Sequence, residues 1–359
     1  DIVNSDNIID GEADVMVQDI KKWIIKASEL KIDNVIGEGG FGIVFRAKYK
    51  KAEVKEITVA VKTMRGNASS MEERSLLSEA YNHIRLGIHN NIVNIHGIVV
   101  NDGPLKLVVE YAEQGDLLAY LHYLDKLNKA QRSLFSERVS QEGLFLTDVA
   151  IHVAQGLEFL HSKHVIHRDI AARNVVIYGD GIGKICDLGL SRDVYQTIYC
   201  KRPSPSDEER DMQLPIRWMA PETLAGDFVY SNKSDMWSYG VLLWEISALG
   251  QRPYHHVKPE HLLSIIRYGN IKLKKCAGCP IELYNVMKHC WQEDVKNRPS
   301  AGEMVLRLRR LKHQKKVHIY FCDPIIPVDV LTSVPRQSVP RHKYTNTIQI
   351  NSMELSVFE

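Results

Sequence analysis

His167-Arg168-Asp169-Ile170-Ala171-Ala172-Arg173-Asn174 is followed, thirteen residues after Asn174, by Asp187-Leu188-Gly189. A carboxylate with an amide five positions on, then a second carboxylate ahead of a glycine, supplies an acceptor for a hydroxyl proton and oxygen ligands for hard divalent ions. Upstream, Gly37-Glu38-Gly39-Gly40-Phe41-Gly42-Ile43-Val44 lacks side chains at 37, 39 and 42, so backbone amides there can approach a polyphosphate. Taken alone, these glycines fit a turn equally well. A dinucleotide site would need a helix directly after the glycines and an acid about twenty residues on. Here a strand-like run leads instead to Val59-Ala60-Val61-Lys62, and a cation at that distance suits phosphate.

Other groupings carry less. Cys276-Ala277-Gly278-Cys279 followed by His289-Cys290 has the residue types of a zinc site, but the second pair is adjacent rather than spaced. The six cysteines are too few and too scattered for a disulfide framework, which points to a reducing compartment. Lys and Arg total 46 against 44 Asp and Glu, so a net charge of +2 gives no broad electrostatic reason for a nucleic-acid partner.

With 359 residues, 44% hydrophobic and 25% charged, the chain has a sizeable core, which excludes disorder, collagen and coiled coil as its main theme. Ile57–Val61 and Leu105–Tyr111 are dense in Val and Ile and predict strands. Between them, Leu76, Leu77, Ala80 and Ile84 recur at near-helical spacing and predict one helix over Met71–Leu86. Beyond Gly115 the period lengthens, with Val149, Val153, Leu157 and Leu160, then Trp237, Val241 and Trp244 in Ser234–Leu249, so this part reads as mainly helical. Residues 125–143 are polar without a clear period and read as an inserted loop. Residues 1–29 read as a leader that docks near its end through Trp23-Ile24-Ile25. Residues 313–359, with prolines at 324, 327, 335 and 340, read as a mostly extended tail. No run approaches the ~18–20 consecutive apolar residues of a membrane helix, and no signal-peptide pattern opens the chain, which therefore reads as soluble with no membrane span. It starts at Asp1 without an initiator Met, which points to a longer parent.

The motifs together resemble the eukaryotic protein kinase family over about residues 30–312. Ala171-Ala172-Arg173 after Asp169, where serine/threonine kinases place a lysine two positions on, is similar to receptor-type tyrosine kinases. Leu214-Pro215-Ile216-Arg217-Trp218-Met219-Ala220-Pro221-Glu222 is similar to the tyrosine-kinase substrate-docking segment. Ser234-Asp235-Met236-Trp237-Ser238-Tyr239-Gly240, Cys290-Trp291 and Arg298-Pro299 match further.

The resemblance implies an α+β, two-lobed fold, with a β-rich N-lobe holding one helix (30–111) and a mainly helical C-lobe (112–312). It implies ATP and Mg2+ as cofactors, with Mn2+ as an alternative. It assigns the α/β-phosphates to Lys62, held by an ion pair with Glu79. Asp169 takes or orients the substrate hydroxyl proton, Arg173 adds positive charge near the transferring phosphate, and Asn174 and Asp187 hold metal. Gly37, Gly39 and Gly42 cover the phosphates. Val44, Ala60 and Val176 sandwich the adenine, whose edge is read by backbone groups of Glu110 and Ala112, with Val109 as gatekeeper.

Asp193-Val194-Tyr195-Gln196-Thr197-Ile198-Tyr199-Cys200 resembles the activation loop of insulin-receptor-like kinases, with Cys200 where that group has a third tyrosine. Tyr195 and Tyr199 are therefore candidate autophosphorylation sites, and a phosphate there would pair with Arg168 or Arg192. Leu188 replaces the usual Phe, which predicts a shifted active/inactive balance, and residues 203–213 make the loop longer and more acidic. Tyr344-Thr345-Asn346 resembles a docking site for SH2-type adaptors. The expected partners are protein tyrosine substrates, such adaptors and a second copy for trans phosphorylation. The expected location is the cytoplasmic side of the plasma membrane if the parent is a receptor. A pseudokinase scaffold and a non-receptor tyrosine kinase are the alternatives.

Overall fold

The computed structural model describes residues 20–39, 42–51, 55–65, 70–100, 102–130, 136–189, 192–193, 215–224, 229–257, 261–262, 266 and 273–314. They fall into two compact units: one takes the described residues up to Tyr111 with 187–189 and 192, the other takes Ala112–Cys186 and those from Asp193 on.

The first unit is an antiparallel sheet of β1 (Leu30–Gly39), β2 (Gly42–Tyr49), β3 (Ile57–Thr63), β4 (Ile95–Val99) and β5 (Lys106–Glu110), in the order β1-β2-β3-β5-β4. β3 is built almost wholly of β-branched residues, which fit a pleated surface buried on both sides. Because side chains alternate, Val59 and Val61 bury one face with Ala47, Tyr49 and Val108. The opposite face follows from the register, which aligns Arg46 with Ala60 and Val109, and Val44 with Lys62 and Leu107.

Helix α1 (Ser70–Leu86) covers that second face's apolar end. Its Leu76 and Ala80 pack with Ile95, Ile98 and Leu107, and Leu77, Tyr81 and Ile84 border the cluster. Each such aliphatic side chain contributes about 1.5–3 kcal/mol when fully buried. Leader residue Ile20 joins the same cluster. The leader then runs beside β4: the Ile25 amide donates to the Ile98 carbonyl at 2.9 Å and the Ile98 amide donates to the Trp23 carbonyl at 2.8 Å. That approach requires Gly97, where a Cβ would stand 2.6 Å from the Trp23 carbonyl oxygen.

The second unit contains α2 (Leu117–Ala130), α3 (Ser136–Ser162), β6 (Val165–Ile166), β7 (Val175–Ile177), β8 (Gly183–Ile185), α4 (Asn232–Ser247), α5 (Ile281–Cys290) and α6 (Ala301–His313). Leu146, Val149, Val153, Leu157 and Leu160 form the buried stripe of α3. The segment Gly143–Ser162 is long and apolar enough to cross a membrane by length and composition, and most of it is buried inside the protein, as in a core helix. α4 is buried from Ser234 to Ser247, with Asp235 and Glu245 among its buried residues. It starts at Ser231, whose hydroxyl accepts from the amides of Lys233 and Ser234 while the Ser234 hydroxyl receives the Ser231 amide at 2.9 Å.

One expectation changes. Of residues 125–143, those up to Ala130 belong to α2 and those from Ser136 belong to α3, leaving only 131–135 between the helices. The segment is rich in Lys, Glu, Gln and Arg, which lack an apolar stripe yet are good helix formers. The fold is otherwise the expected α+β arrangement, a sheet with one long helix and a mainly helical unit.

Candidate active site

In the first unit, three charged side chains from distant parts of the sequence meet. The Lys62 ammonium donates to Glu79 Oε2 at 2.7 Å and to Asp187 Oδ1 at 2.9 Å. β3 aims Lys62, and α1 supplies Glu79 beside the buried Ala80. Asp187 adopts a left-handed backbone with φ 62°, a conformation that Asp tolerates better than most residues. Leu188 beside it is fully buried, its carbonyl receiving the Asn82 amide at 3.2 Å.

Burial opposes the Lys62 charge, but Glu79 and Asp187 outweigh it and hold the ammonium's pKa above its ordinary value. Burial pushes the Glu79 carboxyl up to about 7, with Lys62 pulling it down and Asp187 adding repulsion. Two carboxylates thus share one cation.

The backbone of the glycine run lies in the same unit. Gly37 pairs with Val44 and Gly39 with Gly42. Gly42 has φ 116°, and a Cβ there would run into the Thr63 carbonyl oxygen, so only glycine fits. Ala60 lies on the Lys62 face of β3, aligned with Val109. Glu110 ends β5, and its carboxylate accepts from the Asn94 side-chain amide at 2.6 Å. Ala112 starts the second unit, where its carbonyl accepts from the Gly115 amide.

The second unit holds a tighter cluster. Asn174 Nδ2 donates at 2.7 Å to both the Asp169 carbonyl and Asp169 Oδ2, which leaves the amide oxygen of Asn174 on the other side. Arg173 Nη2 donates to Asp169 Oδ1, and its guanidinium lies over the Trp218 ring at 4.3 Å from the centroid. Val176 sits in β7 opposite Lys184.

Two carboxylates of α4 fix the backbone carrying this cluster. Asp235 accepts from the amides of His167 and Arg168 at 2.9 Å each and also meets His161 at 3.0 Å. These bonds hold Arg168 at φ 73°. Its guanidinium lies 4.7 Å from the Tyr230 centroid. Glu245 Oε2 accepts the Ala172 amide at 3.0 Å and the Trp218 indole N–H at 2.9 Å. Arg298 joins two of the sequence motifs through a two-point ion pair with Glu222, at 2.5 and 2.8 Å.

Sequence reasoning gave Asp235 and Trp218 no role and passed over Glu245. A visible clue existed: Glu245 is an acid between Trp244 and Ile246 in the apolar run Val241–Ile246, and buried acids need partners. The zinc reading gains no geometry, since Cys290 is fully buried facing Met304 Sδ at 4.0 Å and His289 bonds the Asn285 carbonyl. Tyr195, Tyr199, Cys200, residues 203–213 and Tyr344 lie outside the described residues.

A sheet carrying a paired lysine and a helical unit carrying an Asp-Arg-Asn cluster is the arrangement that the kinase-like motifs predict. Residues 30–308 match the family "Protein tyrosine and serine/threonine kinase", and the chain belongs to that family, whose members use ATP and a divalent metal. Fibroblast growth factor receptor 1 of Xenopus laevis is 36% identical over 312 residues, covering 85% of this chain and 37% of the relative. Fibroblast growth factor receptor 1 of Pleurodeles waltl is 35% identical over 364 residues, covering 98% of this chain and 42% of the relative. The chain thus spans about two-fifths of the length of these relatives.

Proposed function

We propose that this chain is an active protein-tyrosine kinase region that transfers the γ-phosphoryl group of ATP to tyrosine hydroxyls of proteins. The observation that carries this reading is the Asp169-Arg173-Asn174 cluster, with an arginine, four residues after the aspartate, bonded to it. Lys62 binds the α- and β-phosphates, and Glu79 keeps the ammonium extended toward them. Backbone amides around Gly37, Gly39 and Gly42 cover the phosphates. Asp169 orients the tyrosine hydroxyl and takes its proton as the phenolic oxygen bonds to the γ-phosphorus and the bridging oxygen leaves with ADP. Arg173 balances charge on the transferring group.

Asn174 and Asp187 are the oxygen ligands assigned to Mg2+ or Mn2+, and their hard oxygen donors fit such ions. A divalent ion supplies charge neutralisation on the phosphates when bound. The transition state is loose, so positioning and electrostatics provide most of the rate. Val44, Ala60 and Val176 take the adenine faces, and the backbone at Glu110 and Ala112 its edge.

The receptor names of the relatives support a parent receptor with this region on the cytoplasmic side of the plasma membrane, a second copy as partner in trans phosphorylation at Tyr195 and Tyr199, and SH2-type adaptors at Tyr344. The test is ATP-dependent phosphotyrosine on a tyrosine peptide, with Asp169→Asn as control. The parent should exceed the control by about 10²–10⁴-fold, the usual worth of a positioned proton acceptor. A parent signal equal to the control would leave a scaffold. Tyr195→Phe/Tyr199→Phe protein preincubated with ATP should turn over more slowly than the parent, and equal turnover would remove the regulatory part.

A further inference from the structure

Glu245 is only 2% exposed and lies on the innermost helix of the second unit. A single oxygen, Oε2, accepts two donors that reach the reacting residues by different routes. One is the Ala172 amide, in the backbone turn between Asp169 and Asn174. The other is the indole N–H of Trp218, whose ring carries the Arg173 guanidinium that bonds Asp169. Asp235, ten residues earlier on the same helix, accepts the amides of His167 and Arg168, which come before Asp169. The stretch after Asp169 and the ring under Arg173 therefore share one anchor.

We infer that Glu245 is a positioning residue for phosphoryl transfer, fixing Asp169 through the Ala172 backbone and through the Trp218–Arg173 stack, an inference that rests on the function proposed above. A buried carboxylate is a costly choice for a merely structural role, because an apolar side chain would fill the same space without desolvating a charge. Burial pushes its carboxyl up to about 7 against the pull of the Trp218 and Ala172 hydrogen bonds and of Arg173. Both hydrogen bonds end on one acceptor oxygen, which a carboxamide would also supply.

Three variants and two readouts test this. Glu245→Leu removes the acceptor, Glu245→Gln keeps one oxygen able to accept both bonds, and Trp218→Phe keeps a ring under Arg173 while deleting its N–H. Glu245→Leu should lower kcat about 10-fold or more with KM for ATP unchanged, since bonds to charged groups are worth about one such factor each. Glu245→Gln should restore kcat to within about threefold. Adding Glu245→Leu to Trp218→Phe should cost less than it does in the parent. Hydrogen exchange of the Ala172 amide should quicken about 10-fold in Glu245→Leu while amides outside residues 168–174 keep parental rates.

The inference is overturned if kcat per folded molecule is unchanged in Glu245→Leu, if the effects of the two sites simply add, or if the Ala172 amide keeps its parental rate. Should Glu245→Leu not fold, Trp218→Phe decides: a kcat lower by about threefold or more with KM for ATP unchanged supports the inference, and an unchanged kcat overturns it. A parent no better than Asp169→Asn would sink the proposed function, whereas the Ala172 exchange rate would still accept or reject the positioning role.

Discussion

The lysine cluster of the first unit and the aspartate cluster of the second solve the same problem, holding charge in a fixed place, by opposite means. Lys62, Glu79 and Asp187 come from segments 17 and 125 residues apart and are joined only by side-chain contacts. Asp169, Arg173 and Asn174 lie within six consecutive residues, and the Ala172 amide among them and the His167 and Arg168 amides just before them are bonded to two carboxylates of one buried helix. A side-chain ion pair vanishes when one partner moves by a few ångströms, whereas a backbone anchored to a core helix moves only if the helix does.

The largest expected effect comes from removing an anchor. Asp235→Ala would strip the buried amides of His167 and Arg168 of their acceptor and should cost about 3 kcal/mol or more in chemical denaturation, at roughly 1–3 kcal/mol for each orphaned donor. Equal stability would show that the second unit's cluster is no more fixed than the first.

Glu79→Gln should leave the protein folded and lower kcat/KM about tenfold at pH 8, for the loss of one charge-assisted bond. Because burial raises the Glu79 carboxyl to about 7, the parent itself becomes protonated below neutrality. The gap between parent and variant should therefore shrink as pH falls from 8 to 6. Stability has the opposite sign: the folded state binds this proton more tightly than the unfolded chain, so the parent should lose stability as pH rises from about 4.5 to 7, and Glu79→Gln should lack that slope. A parent-to-variant ratio constant with pH would remove the poised ion pair.

The smallest effect concerns the start of the anchoring helix. Ser231→Ala should cost about 1 kcal/mol by deleting the cap of α4, read as a lower melting temperature with unchanged kcat. A fall in kcat per folded molecule would mean that the helix transmits even small end effects to Asp169.

Much of this was legible in the sequence. The β-branched run at Ile57–Val61 could form little but a strand, and the extent of β5, Lys106–Glu110, differs by one residue at each end from the run that predicts it. The grouping of Asp169, Arg173 and Asn174 follows from spacings of four and five residues in one tight turn. Residues 125–143 were not legible because polar helix ends and loops share a composition. The roles of Asp235 and Glu245 were hidden for a different reason: three of their partners are backbone amides 67 to 73 residues away, and a backbone amide has no letter in the sequence.

The contact between the leader and β4 has a mechanical side. β4 is the last strand of its sheet, and its free row of amides and carbonyls would template another strand if left open. Residues Trp23 to Ile25 occupy that row, and Ile20 is wedged among the side chains of α1 that stand next to Glu79. A pull or twist applied to the chain ahead of Ile20 would thus be delivered to the helix bearing Glu79, which makes the leader a lever as well as a connection.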